Sequence, residues 1–247
     1  MKNLLFLASG RGSNFQAFVD HVRFGVLQKV SISALICNRK NAMVLDRART
    51  ATVPVIELDG VTGRKYSSPA DRDEARIKFD KKCLGVVKTY SIDFVVLAGF
   101  DQIVSKAFVD ACPFKIVNIH PAYDLTRFGG ERMVGRRVHE SVLSAGANYS
   151  GCTVHFVTND VDKGPVILKR LVAVLPDDTL PKLEERVLSE EHLAYPEAVQ
   201  LLVDGRVVVS DSEKACFVDL FSDNWDVNWL ERQRSYIASL SSSKEII

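Results

Sequence analysis

The chain has 247 residues, 47% of them hydrophobic and 26% charged, with a formal net charge of +1. These values are ordinary for a globular protein with a sizeable core, and they exclude a general electrostatic grip on nucleic acid or a membrane surface. No apolar run reaches the roughly 20 residues of a spanning helix, and the five cysteines (Cys37, Cys83, Cys112, Cys152, Cys216) are scattered without CxxC spacing. Reduced thiols in a cytoplasmic protein are therefore expected, rather than a disulfide frame or a metal site.

Lys2–Ala8 is an apolar run of strand length that breaks at Ser9-Gly10-Arg11-Gly12, too early for the apolar region of about 7–15 residues in a signal peptide. Phe15, Phe18, Val19 and Val22 then recur at helical spacing over Phe15–Phe24. A strand is expected at Val30–Cys37, a helix at Asn41–Thr50, a strand at Val53–Leu58, a loop at Gly60–Pro69 and a helix at Asp71–Tyr90. Asp93–Ala98 and Lys115–Ile119 are apolar without alternation, as in strands buried on both faces. Strands alternating with helices over the first 120 residues imply right-handed βαβ units in a doubly wound, mostly parallel α/β sheet. Such sheets bind ligands along the edge where the strands end.

Beyond residue 120 the pattern changes. Arg136–Ala145 reads as a helix, and Gly151–Thr158 and Val166–Leu175 as antiparallel strands. Leu180–Leu202 reads as a long helix and Gly205–Val209 as a short strand. The division expected is one domain over 1–210 and an extension over 211–247, part helical with a disordered end. The aromatics of that extension, Phe217, Phe221, Trp225, Trp229 and Tyr236, suit a cover for the core or a homodimer contact.

Three constellations carry chemistry. The first is Ser9-Gly10-Arg11-Gly12-Ser13-Asn14 between strand and helix. Glycines let the backbone approach a ligand, and a helix N-terminus offers N–H groups and partial positive charge to an anion. The dinucleotide fingerprint is absent, since Phe15 stands where a third glycine belongs and Asn38 where an acidic residue belongs. No Gly-Lys-Ser/Thr follows either, so a sugar phosphate is a better candidate than NAD or ATP. A tight turn with Ser13 as helix cap would read the same way.

The second constellation is Asn118 and His120, two apart on one face at the end of a buried strand. A histidine moves protons near neutral pH, and an asparagine amide can donate to a developing oxyanion. The third is the polar loop after Val154–Val157, where Asp160 or Asp162 could reach His120 and orient its ring. Turn chemistry is the competing account, and it is preferred for Asp160. His155 reads as a strand residue packed on the sheet, and His21 as an exposed helical residue.

Six stretches in order, SGRGSN (9–14), VVLAGF (95–100), NIHP (118–121), VHFVT (154–158), DKGPVI (162–167) and EHLAYP (191–196), span most of residues 1–210. On these the chain resembles the phosphoribosylglycinamide formyltransferase family, folate-dependent enzymes that formylate glycinamide ribonucleotide in purine synthesis. The resemblance implies a Rossmann-like formyltransferase fold. Gly12, Ser13 and Asn14 would hold the ribonucleotide phosphate and Glu191 the ribose hydroxyls. Asn118, His120 and Asp162 would be catalytic, which decides between the two aspartates. Phe100, Asp101, Gln102, Ile103 and Val104 would contact 10-formyltetrahydrofolate as co-substrate, with no metal.

Three departures stand out. Residues 122–138 replace the family's Ser-Leu-Leu-Pro segment and are several residues longer. Asp101-Gln102 replaces the usual Met-Arg, and residues 211–247 have no counterpart. The alternatives these raise are a different acceptor amine or a ligand-binding homologue without turnover. Water as acceptor, as in the deformylases, is a third, although that family places a regulatory domain before the fold.

Overall fold

In the computed structural model, residues 1–210, the strand residues 216–218, Arg232 and Ser235 are described. The expectations for the rest of the extension, including its helical part and the aromatics Phe221, Trp225, Trp229 and Tyr236, lie outside the described residues, as does the Phe217 side chain.

Strands β1 (Lys2–Ala8), β2 (Val30–Cys37), β3 (Val55–Glu57), β4 (Phe94–Leu97) and β5 (Ile116–His120) pair in parallel. Strands β6 (Tyr149–Phe156) and β7 (Val166–Ala173) continue the sheet antiparallel, giving the order β3-β2-β1-β4-β5-β6-β7. This is the doubly wound, mostly parallel sheet with antiparallel strands toward the C-terminal side that the pattern predicts. The strand order reverses between β1 and β4, which opens a crevice at their carboxyl ends. Ser9 N–H donates to the Gly99 carbonyl across that point at 3.2 Å.

The core has two layers because β1 is buried on both faces. Leu4, Phe6 and Ala8 face one cluster and Leu5 and Leu7 the other, all at 0% exposure. The first layer takes helices α1 (Ser13–Arg23) and α7 (Leu180–Val203), and the second takes α3 (Pro69–Thr89) and α4 (Lys106–Ala111). Phe6 packs edge-on against Phe15 and Phe18, with centroids 5.2 and 4.9 Å away, and Phe18 against Tyr195 at 5.2 Å. Each such pair adds about 0.5–1.5 kcal/mol beyond burial, so this chain of rings locks β1, α1 and α7 together. The Tyr195 hydroxyl lies 2.8 Å from the Val117 carbonyl and 3.1 Å from that of Leu97, and its single O–H donates there. It thus pins α7 to β4 and β5 one residue before Ala98 and Asn118.

Several element expectations need correction. Helix α1 starts at Ser13 rather than Phe15, with Gly12 in the cap position, so Ser13 is not the cap. His21 is fully buried. The buried face of α1 runs through Asn14, Ala17, Phe18 and His21, and it meets His192 on α7. Strand β6 begins two residues earlier than Gly151. Helices α4 and α5 (Leu125–Phe128) have six and four residues, too few to leave a periodic signal. Ser105 and Asp124 cap them through side-chain acceptors.

Candidate active site

The turn after β1 is built around Gly12 at φ 72°, a left-handed conformation. A Cβ there would lie 2.5 Å from Val44 Cγ2, so only glycine lets helix α2 (Met43–Thr50) close over the turn. Gln16 N–H donates to the Gly12 carbonyl at 2.9 Å, and no side chain caps the first turn. Asn14 is buried and donates from Nδ2 to Glu191 Oε2 at 2.8 Å. Burial pushes the Glu191 carboxyl up to about 7, against the Asn14 hydrogen bond, and nearby Glu184 adds to the rise. The buried Asn14 Oδ1 has no partner. The consecutive Gly12, Ser13 and Asn14 and the distant Glu191, expected together, therefore share one corner of the molecule.

The segment after β4 borders the same crevice. The Asp101 carboxylate accepts from Ser9 Oγ at 2.9 Å, Asn38 Nδ2 at 2.8 Å and Arg39 Nε at 2.5 Å. Its backbone N–H donates to Ser9 Oγ at 2.9 Å. Gln102 is buried and accepts from Val61 N–H at 3.0 Å. Both side chains thus tie the β1, β2 and β4 ends and the 60–62 loop together. Phe100 stacks on Phe79 at 6.0 Å, Val104 is buried, and Ile103 is 38% exposed.

The second corner forms at the end of β5. Its neighbour β6 runs antiparallel in a register that sets His155 opposite Asn118 and Thr153 opposite His120. Asn118 Nδ2 lies 3.4 Å from His155 Nε2. His155 Nδ1–H donates to the Phe156 carbonyl at 2.9 Å, and its Nε2 lies 3.5 Å from Asp162 Oδ1. Asp162 Oδ2 lies 3.3 Å from His120 Nδ1 and accepts from Gly130 N–H at 2.9 Å. His120 Nε2–H donates to the Phe128 carbonyl at 2.7 Å. The backbone of Asp162 is left-handed, φ 57°, a conformation that aspartate tolerates better than most residues.

One carboxylate is thus held between two buried imidazoles. Burial pushes the His120 pKa below 6.5, while Asp162 and the Phe128 carbonyl oppose the shift. Burial alone would raise the Asp162 carboxyl, but the His155 and His120 contacts and the Gly130 N–H bring it below 3.8. At neutral pH the pair rests as an ionised Asp162 beside a neutral His120. The His120 proton then sits on Nε2 toward Phe128, and a lone pair sits on Nδ1. That arrangement can take up a proton at Nδ1 and hold the resulting cation.

Asn118, His120 and Asp162 come together as their residue types suggest, and Asp162 rather than Asp160 reaches the ring. His155, assigned to packing in the sequence, is buried yet belongs to this cluster. Its place opposite Asn118 is a consequence of the β5–β6 register. The Phe128 carbonyl and Gly130 N–H also belong, and as backbone groups they carry no residue signature. Gly129 between them is required: a Cβ would lie 2.5 Å from the Leu125 carbonyl oxygen and 3.3 Å from Asp162 Cβ. Among the described residues no His, Cys, Asp and Glu group has the arrangement of a metal site. Cys37, Cys83, Cys112 and Cys152 are buried free thiols. No helix among the described residues is long and apolar enough to cross a membrane.

A model of the formyl transferase family matches residues 2–199. The phosphoribosylglycinamide formyltransferase of Escherichia coli (strain K12) is 34% identical over 217 residues, 88% of this chain and 93% of that protein. The human trifunctional purine biosynthetic protein adenosine-3 is 37% identical over 212 residues, and the chain spans only 19% of its length. The crystal structure of glycinamide ribonucleotide transformylase 1 from Symbiobacterium toebii superposes with a TM-score of 0.76 at 35% identity, covering 88% of this chain and 94% of that one. The chain belongs to the formyl transferase family.

Proposed function

We propose that this protein transfers the formyl group of 10-formyltetrahydrofolate to the amine of glycinamide ribonucleotide. The observation that carries this reading is the His120–Asp162 pair, with Asn118 beside it on the same strand end. The names of relatives that the chain matches over more than nine-tenths of their length support the choice of acceptor. Gly12, Ser13 and Asn14 hold the phosphate at the N-terminus of α1, and Glu191 holds the ribose.

The folate supplies an activated formyl group on N10. Phe100 and Ile103 offer it apolar surface beside β5, backed by the buried Val104, since Leu97 of β4 pairs with Asn118. Asp101 and Gln102 are turned to Ser9, Asn38, Arg39 and Val61, so they support that segment rather than bind a charged tail.

During transfer the substrate amine attacks the formyl carbon, the bond to N10 breaks, and one proton passes from the amine to the leaving nitrogen. Asn118 donates its amide N–H to the formyl oxygen as negative charge develops. His120 takes up the amine proton at Nδ1, directly or through water, and Asp162 stabilises the imidazolium. His155 and Gly130 hold the carboxylate in place. The same proton then returns from His120 to the leaving nitrogen.

The test mixes protein, glycinamide ribonucleotide and 10-formyltetrahydrofolate and follows tetrahydrofolate release, with His120→Ala alongside. Ribonucleotide-dependent release that the substitution abolishes is expected. Release without ribonucleotide would assign a hydrolase. Release only with another amine would assign a different acceptor, selected by the 122–138 loop. Ribonucleotide binding without release would refute turnover with this donor.

A further inference from the structure

The glycine loop carries an arginine between its two glycines, and the 122–138 segment carries another, Arg136, the first residue of helix α6 (Arg136–Ser144). Both converge on one carboxylate of α7. Arg11 Nη2 lies 3.3 Å from Glu184 Oε1, and Arg136 Nε lies 3.8 Å from Glu184 Oε2. The guanidinium groups are 70% and 64% exposed, against 27% for Glu184, so both can turn toward a ligand while the acid stays in place. The backbone beneath Arg11 is fixed, because Arg47 Nε–H donates to the Arg11 carbonyl at 2.9 Å and Arg47 Nη1 reaches Gln16 Oε1 at 3.3 Å.

Two cations on one anion leave an excess of one positive charge at the N-terminus of an 11-residue helix that no side chain caps. A second observation points to a ligand here: the buried Asn14, in the first turn of that helix, has an Oδ1 with no partner, an acceptor that a hydroxyl of a bound sugar phosphate can satisfy. An exposed guanidinium–carboxylate contact is weak and exchanges readily. A phosphate dianion accepts two guanidinium forks more strongly than one shared carboxylate does.

We propose that Arg11 and Arg136 are phosphate-recognition residues held ready by Glu184, which pairs with them in the free protein and yields them to the phosphate of a bound sugar phosphate. This rests on reading the glycine loop as the phosphate site. It also gives the 122–138 segment a task, the delivery of a second cation to that loop.

The test is calorimetric binding of ribose 5-phosphate to the full chain, with ribose as the uncharged comparison, at about 0.01 M and about 0.15 M salt. Arg11→Ala and Arg136→Ala should each weaken ribose 5-phosphate binding about fivefold at low salt, and less at high salt. Arg11→Lys and Arg136→Lys should each bind more tightly than the matching alanine variant and more weakly than the parent, because an ammonium keeps the charge and loses the fork, a graded order that a merely structural role for the guanidinium would not predict. Glu184→Gln should tighten binding a few-fold by removing the competing anion. Parent-like affinity in both alanine variants, with Asn14→Ala still weakened, would overturn the arginine assignment and leave the glycine-loop reading intact. Weaker binding in Glu184→Gln would overturn the counter-ion role. A parent that does not bind ribose 5-phosphate would overturn both. Formyl transfer is not measured, so failure of the donor or acceptor assignment is a separate result.

Discussion

The two corners of the crevice are built in opposite ways. The corner at the start of α1 is mostly local: six consecutive residues make the turn, and Val44, Arg47, Arg136, Glu184 and Glu191 close around it. The corner at the end of β5 gathers Asn118 and His120, Phe128 to Gly130, His155 and Asp162 from separate segments, and three of its contacts involve backbone atoms. A local site tolerates changes in distant packing. An assembled one depends on every element that delivers a group.

The sharpest way to break this comparison is Asp162→Asn. It removes the charge that favours the His120 cation, so formyl transfer should fall about 10²–10⁴-fold. The His120 pKa, followed by NMR, should move still further down. An unchanged His120 titration would show that the carboxylate does not govern the ring.

Gly129→Ala tests whether backbone delivery matters. The new Cβ meets the Leu125 carbonyl oxygen and displaces Phe128 and Gly130, so kcat should fall about 10–100-fold with the ribonucleotide KM unchanged. A change confined to KM would tie the loop to the phosphate corner instead.

Glu191→Gln addresses the local corner through stability. The folded carboxyl, raised to about 7, keeps its proton while the unfolded one, near 4.5, has lost it. The folded state therefore binds more protons between these values, and stability falls as pH rises through them. The favourable contribution is complete below about 4.5 and gone above about 7, a span of about 3 kcal/mol. Urea unfolding should show the variant gaining on the parent from pH 5 to pH 8. A constant difference would mean that Glu191 is not the group responsible.

Tyr195→Phe has the smallest expected effect. It removes one buried O–H between β4 and β5 and should cost about 1–2 kcal/mol in unfolding, with the pH profile of catalysis kept. A changed pH profile would show that α7 also sets the geometry of the β5 corner.

The sequence by itself determined the parallel half of the sheet, because strands buried on both faces require unbroken apolar runs. It also marked the turn after β1, where left-handed Gly12 and the covering Val44 demand glycine. Asn118 and His120 stood out as a polar pair ending an apolar strand and Asp160 and Asp162 as carboxylates of a polar loop, while the six ordered stretches pointed to the family and through it to Asp162. Tertiary structure alone decided the rest. It buried His21 against α7, turned Asp101 toward Ser9, Asn38 and Arg39, and placed His155 opposite Asn118 through the β5–β6 register. It also brought Arg136 to the glycine loop and set the Phe128 carbonyl and Gly130 N–H on the His120–Asp162 pair. The physical reason is that periodicity and turn chemistry are written into side chains a few residues apart. Register and backbone contacts depend on where distant segments settle, and a carbonyl or N–H is the same whatever residue bears it.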